Sequence, residues 1–282
     1  MYKTISPGNI GHGRNFKDAA EAAAKAGYEG YWFYIEGDSE LPLNETKELL
    51  AKTGLRAAGF SLPIEYRKDA ATFEADFAKL EGYVRYAAEI GAKRCVTWVF
   101  PFSDTYSYAE NFELHRSRLK KACEVLRAYD MVFGMEFIGP PKLRKGVKHE
   151  FIHNLDQMLE LCDAIGTGNA GLLLDVWHWD MAGQTQADFS KFTGAQVALV
   201  HINDAPAGIP VEEQEDLVRK LPGETGVLKI AEFFDGLLSI GYDGPVLAEP
   251  FEEKLREMTY EKALETVINS INLVWPRMEG KT

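Results

Sequence analysis

Eight short apolar or β-branched runs alternate with eight longer stretches of helical period, and on that alternation the sequence predicts an α/β fold: a single parallel (β/α)8 barrel spanning 1–282 as one domain. Two further observations agree. The chain has 282 residues, 46% of them hydrophobic, close to the roughly 250 residues of such barrels. No Pro/Gly/Ser-rich linker or low-complexity segment divides it. An open doubly wound sheet is the competing architecture, but SPGNIGHG after the first strand lacks the GxGxxG spacing of its phosphate loop.

The units follow in order. Strand 2–6 (YKTIS) precedes a helix over 16–26, which Gly27 stops. Strand 28–35 (YEGYWFYI) precedes a helix over 44–53 and Gly54. Strand 55–62 (LRAAGFSL) feeds a long helix over 70–90 and Gly91. Strand 93–99 (KRCVTWV) is followed by a helix over 110–129, and strand 131–137 (MVFGMEF) by one over 150–165. The sixth unit, strand 170–176 (AGLLLDV), carries the faintest helical pattern, a short stretch over 187–193. Strand 196–202 (QVALVHI) precedes a helix over 227–240 and Gly241; strand 245–249 (PVLAE) precedes one over 258–273. The four glycines sit where a helix ends in a left-handed residue.

Composition narrows the partners. A net charge of −12 without a Lys/Arg-rich tract disfavours nucleic acid and anionic membranes, and favours a small-molecule partner. The amino terminus shows no basic segment followed by an apolar run, and no stretch reaches the roughly 18 apolar residues of a membrane helix. Cys95, Cys123 and Cys162 are scattered, odd in number and without metal spacing, so buried reduced thiols in a cytoplasmic protein are expected.

Barrel active sites lie at the carboxyl ends of the strands. There the last four strands deliver Glu136, Asp175, His201 and Glu249. Taken singly, each acid has an ordinary reading as a helix cap or ion-pair partner, and the histidine as a core residue. Together they crowd three negative charges at one apolar rim, which is unfavourable unless a cation neutralises them. One divalent metal is therefore expected. Three carboxylates and one imidazole suit Mn²⁺ first, with Mg²⁺, Co²⁺ or Zn²⁺ as alternatives. Glu136 and Glu249, three strands apart on the rim, could flank a substrate from two sides. His12 and Glu36 fall on the same face, Trp98 and Phe100 would form apolar walls, and Trp177 and Trp179 are either walls or packing. Glu224, in LPGETG, reads as a helix-start acid.

The stretches EFIGP, LLLDVWHW, VHINDAP, LPGETG and LAEPF make the chain resemble the xylose isomerase-like TIM barrels, the sugar phosphate isomerase/epimerase family, nearest in pattern to inosose isomerase-like proteins. The resemblance implies one metal held by Glu136, Asp175, His201 and Glu249, with the two glutamates as acid and base. It also implies His178 and Arg219 as substrate contacts, and a homo-oligomer. The implied activity is isomerisation or epimerisation of a sugar, keto-sugar or cyclitol through an enediolate. A lyase acting on inosose, 3-dehydroshikimate or a 3-keto-glycoside is the alternative on the same ligands. One departure stands out: where ketose 3-epimerases of the family carry a second glutamate, this chain has Lys142. Apurinic endonucleases share the barrel but need three metals and more histidines than the six present.

Overall fold

A computed structural model describes residues 1–276. Eight parallel strands close into a barrel: β1 Tyr2–Ile5, β2 Gly30–Phe33, β3 Arg56–Ser61, β4 Arg94–Val99, β5 Val132–Phe137, β6 Ala170–Asp175, β7 Val197–Ile202 and β8 Pro245–Ala248. Neighbours in sequence are neighbours in space, and β8 pairs with β1 (Thr4 opposite Leu247) to leave no edge. Inside the barrel Trp32, Ala58, Val96, Leu173, Leu199 and Leu247 form one buried cluster. A larger core fills the space between the strands and the helices.

The outer ring comprises α1 Phe16–Ala26, α2 Leu43–Thr53, α3 Ala70–Glu89, α4 Tyr108–Arg127, α5 Leu155–Ile165, α6 Val176–Met181, α7 Ile230–Ser239 and α8 Tyr260–Val274. Asn15 and Asn154 cap α1 and α5 through side-chain acceptance of a backbone N–H. Ser107 and Glu110 form a reciprocal capping box that starts α4 two residues earlier than its apolar pattern. Gly27, Gly54, Gly91 and Gly241 all adopt positive φ, as their places at helix ends require. Among the described residues no helix is long and apolar enough to cross a membrane.

Two segments depart from expectation. The predicted helix over 150–165 begins only at Leu155, because His149–Glu150 pairs antiparallel with Phe102–Ser103 beside the barrel mouth. In the sixth unit the chain turns helical directly after Asp175, and the stretch expected as a helix is a 3₁₀ turn, Gln186–Lys191. Asp175 is itself the cap of α6, accepting the N–H groups of Trp177 and His178. Between β7 and α7 lies a long excursion, residues 203–229, which holds a single 3₁₀ turn and a backbone bridge from Asp204 to Lys220.

Candidate metal centre

β5, β6, β7 and β8 end side by side, and each terminal stretch presents one chemically competent side chain to the same space. Glu136 and His201 are the penultimate residues of β5 and β7, Asp175 is the last residue of β6, and Glu249 directly follows β8. One ligand-type atom from each lies within 4.8 Å of the other three. His201 Nδ1 stands 3.4 Å from Glu249 Oε2, 3.6 Å from Glu136 Oε1 and 3.7 Å from Asp175 Oδ2, ion-pair contacts none of which has hydrogen-bond geometry. His201 Nδ1 and Glu136 Oε1 are both buried without a hydrogen-bond partner. Buried polar atoms are seldom left so. A divalent cation would satisfy both, and the donor set fits one.

The surroundings hold the charges in place. Burial pushes the Glu136 carboxyl up to about 7 against the pull of His201. Burial would also raise Asp175 and Glu249, but Arg219 and His201 outweigh it and hold both below the usual carboxylate range. Burial works against protonation of His201, yet Glu249, Asp175 and Glu136 together move it upward. Arg219 is the counter-charge. Its side chain is 1% exposed and lies between the rings of Trp177 and Phe251. It donates to Asp175 (2.8 Å), Glu249 (3.1 Å), the Asp216 side chain (2.8 Å) and the Asp216 carbonyl (2.8 Å).

His178 is buried beside this arginine, with Nε2 3.0 Å from the guanidinium and Nδ1 accepting the Gly139 N–H at 3.3 Å. Burial, reinforced by Arg219, lowers it to about 4, so the ring is neutral. Both His178 and Arg219, expected as substrate contacts, line the cavity over the cluster, and every guanidinium nitrogen of Arg219 already has a protein partner. Trp177 and Trp179 are buried packing residues; Trp179 packs tilted on Phe189 and edge-on to Phe192 and Phe233.

Two cavities meet at the cluster, and Glu136 and Glu249 line both. An inner chamber of about 200 Å³ is edged by Asn9, Ser61, Arg67 and Thr97. An outer cavity of about 680 Å³ extends under the loops after β4, β5 and β7. Trp98 and Phe100 form part of its wall, as expected. His12 and Glu36 do not reach either cavity. His12 is tied to the Leu255 carbonyl, and Glu36 sits exposed on the helical turn Ile35–Asp38. Lys142 is paired with Glu215 at 2.7 Å across the mouth. Glu224 caps a turn, accepting from the Leu221 N–H and from Lys254.

Sequence reasoning did not single out four residues that build the site. Asn9 donates to Glu249 (3.0 Å), and Asn203 donates to both oxygens of Asp175 (3.2 Å each). Asp204 accepts four backbone N–H groups, from Ala205, Thr225, Gly226 and Leu228, and so anchors the excursion that carries Arg219. Asp216 fixes the outer face of Arg219. The only signal was position: Asn203 and Asp204 follow His201 within the same HIND stretch.

These features define a (β/α)8 barrel with a candidate divalent-metal centre at the carboxyl ends of its last four strands. The chain belongs to the xylose isomerase-like TIM barrel family, whose model matches residues 20–271. It is 26% identical to an inosose isomerase of Halalkalibacterium halodurans over 159 residues, 54% of this chain and 53% of that one. The chain thus spans about half the length of the curated relatives it matches. Solved structures match over nearly the whole chain. A xylose isomerase domain protein from Alicyclobacillus acidocaldarius superposes with a TM-score of 0.87 at 24% identity, covering 97% of this chain and 98% of that one. The IOLI protein with a binding zinc atom gives 0.81 at 18% identity, with the same coverage.

Proposed function

We propose that the chain is a divalent-metal-dependent isomerase or epimerase acting on a sugar, keto-sugar or cyclitol. The observation that carries this reading is the convergence of Glu136, Asp175, His201 and Glu249 within 4.8 Å at the meeting of two cavities. The similarity to an inosose isomerase and to a zinc-binding barrel of the same fold supports it. The donor set suits Mn²⁺ or Mg²⁺ and is compatible with Co²⁺ or Zn²⁺; Mn²⁺ is the metal proposed.

Glu136, Asp175, His201 and Glu249 would hold the cation, which supplies Lewis acidity toward a carbonyl and its neighbouring hydroxyl. The protein residues do the rest. Glu136 and Glu249 border the reacting space and form the acid–base pair that takes a proton from carbon and returns it. Return to the same carbon inverts a centre; return to the next carbon moves the carbonyl. Arg219, locked on Asp216, keeps Asp175 and Glu249 in register. His178 lines the outer cavity with both ring nitrogens facing protein groups, Gly139 and Arg219, so a substrate oxygen would have to displace one of these contacts to meet it. The paired state of Lys142 speaks against a role for it in binding a phosphate. The three cysteines are free and buried, in keeping with a reducing cytoplasmic setting.

The test offers Mn²⁺-loaded protein a panel of keto-sugars and inososes in deuterated water, followed by NMR. Deuterium should enter at the carbon beside the carbonyl, and Glu136→Gln or Glu249→Gln should slow that exchange by about 10²-fold or more. A product with a new ultraviolet-absorbing conjugated carbonyl would instead establish the lyase. Absence of exchange across the panel would overturn the proton-transfer reading.

A further inference from the structure

The two cavities differ in character. The inner chamber is lined beside the cluster by the polar side chains of Asn9, Ser61, Arg67 and Thr97, of which Asn9 is also bonded to Glu249, Ser61 to Trp32 and Arg67 to Glu65. The outer cavity offers mainly apolar surface. Trp98 and Phe100 lie on one side with ring centroids 4.7 Å apart, and Ile138, Leu143, Leu217 and Phe251 complete the wall. Trp98, Phe100 and Leu217 are 38%, 43% and 68% exposed, large side chains left in water at the mouth of a site.

Several polar groups of this wall are already engaged, although the Gln214 carbonyl oxygen is buried without a partner. Lys142 pairs with Glu215, Arg219 with Asp216, and the Gln214 amide donates to the carbonyls of Pro206 and Ile209. A polyol placed here would bury hydroxyls with few partners, which is costly. A phosphate would meet cations that already have carboxylate partners. At about 680 Å³ the cavity falls in the roughly 300–1,000 Å³ range of pockets for drug-sized ligands, well beyond the 200 Å³ of the chamber below it.

The backbone adds an independent sign. Phe251 sits at φ +44°, a left-handed conformation that a bulky residue adopts only under constraint. There its ring covers the Arg219 guanidinium at 4.8 Å and forms part of the outer wall. Strain of this kind, held by the surrounding structure, is characteristic of ligand sites.

We infer that the substrate is bipartite: a sugar or cyclitol unit that enters the polar inner chamber, joined to an uncharged apolar substituent, aryl or alkyl, that fills the outer cavity. The inference rests on the carbohydrate chemistry proposed above and assigns specificity to Trp98, Phe100, Leu217 and Phe251. Polar recognition fixes the reacting unit, and burial of the substituent supplies affinity.

Calorimetric titration of the Mn²⁺-loaded full chain with methyl and phenyl β-D-glucosides tests it without requiring turnover. The phenyl compound should bind at least about tenfold tighter, in line with burial of one ring. Leu217→Asp, at an exposed position, and Phe100→Ser should each bring the ratio of the two affinities to about one. Equal affinities in the parent, or a phenyl preference that both variants retain, would overturn the inference. Carbon-bound deuterium exchange separates the two readings. Exchange of free keto-sugars without any phenyl preference removes the apolar subsite and leaves proton transfer standing. A phenyl preference abolished by both variants, without exchange of any ketone, supports the subsite and removes proton transfer.

Discussion

Asp175 shows how much of a buried charge is decided by its neighbours. Its two oxygens accept from the Trp177 and His178 backbone, from Asn203 and from Arg219, so the carboxylate is satisfied on several sides before any cation is considered. Arg219 is the residue whose loss would be felt most, since among the described residues it alone bridges Asp175, Glu249 and Asp216. Arg219→Met should lower stability in EDTA by about 3–5 kcal/mol, because it strands buried carboxylates without a counter-charge. Metal should then stabilise the variant more than it stabilises the parent, for whom about 2.7 kcal/mol is expected at a hundredfold excess over Kd. Urea titrations of both proteins with Mn²⁺ and with EDTA measure this. Equal metal increments would show that Arg219 does not act through charge. The four proposed ligands were legible because each ends a strand in apolar company. Asn9, Asn203, Asp204 and Asp216 were not, since Asn and Asp after a strand read by default as turn formers.

At the scale of elements, six of the eight units follow their periodicity, the fifth begins its helix five residues late, and the sixth departs for a local reason. Val176 is β-branched and reads as the last residue of the strand. The Asp175 side chain instead captures the next amides and starts α6 at once, which swings His178 against Gly139. A side chain at 139 has no room: a Cβ there would collide with the His178 carbonyl and stand 3.1 Å from the Ala182 nitrogen. Gly139→Ala should therefore cost about 1–3 kcal/mol in urea unfolding, as overpacking does. An unchanged midpoint would mean that α6 shifts freely. The excursion after β7 has no periodicity to read at all, and its order comes from Asp204. In Asp204→Ala the amides of Thr225, Gly226 and Leu228 lose their acceptor. Their hydrogen exchange should accelerate by about tenfold or more while β5 and β6 keep their protection, since local opening is separable from global unfolding. Uniform loss of protection would contradict an anchoring role confined to this loop.

Across the whole molecule, stability depends on groups far from the cluster, and pH makes one of them measurable. His115 is buried in α4 between Tyr66 and Phe151, with Nδ1 facing the Asn111 carbonyl and Nε2 without a partner. Nothing about its helical spacing distinguished it from an ordinary core position, yet burial lowers it to about 4. The folded protein thus refuses a proton that the unfolded chain accepts near 6.5. The contribution of His115 is intact above pH 6.5, erodes as pH falls and levels off below about 4, with a total near 3 kcal/mol. Asp38 runs the other way. Burial pushes its carboxyl up to about 6 despite the Phe16 and Tyr34 amides it accepts, so its ionised form costs stability as pH rises through that value. The parent's pH profile mixes the two, and a single variant separates them. Between pH 7.5 and pH 5 the unfolding free energy of His115→Phe should fall by about 2 kcal/mol less than that of the parent, with the Asp38 contribution common to both. Parallel profiles for the two proteins would mean that the His115 ring is already protonated, or solvated, in the folded barrel.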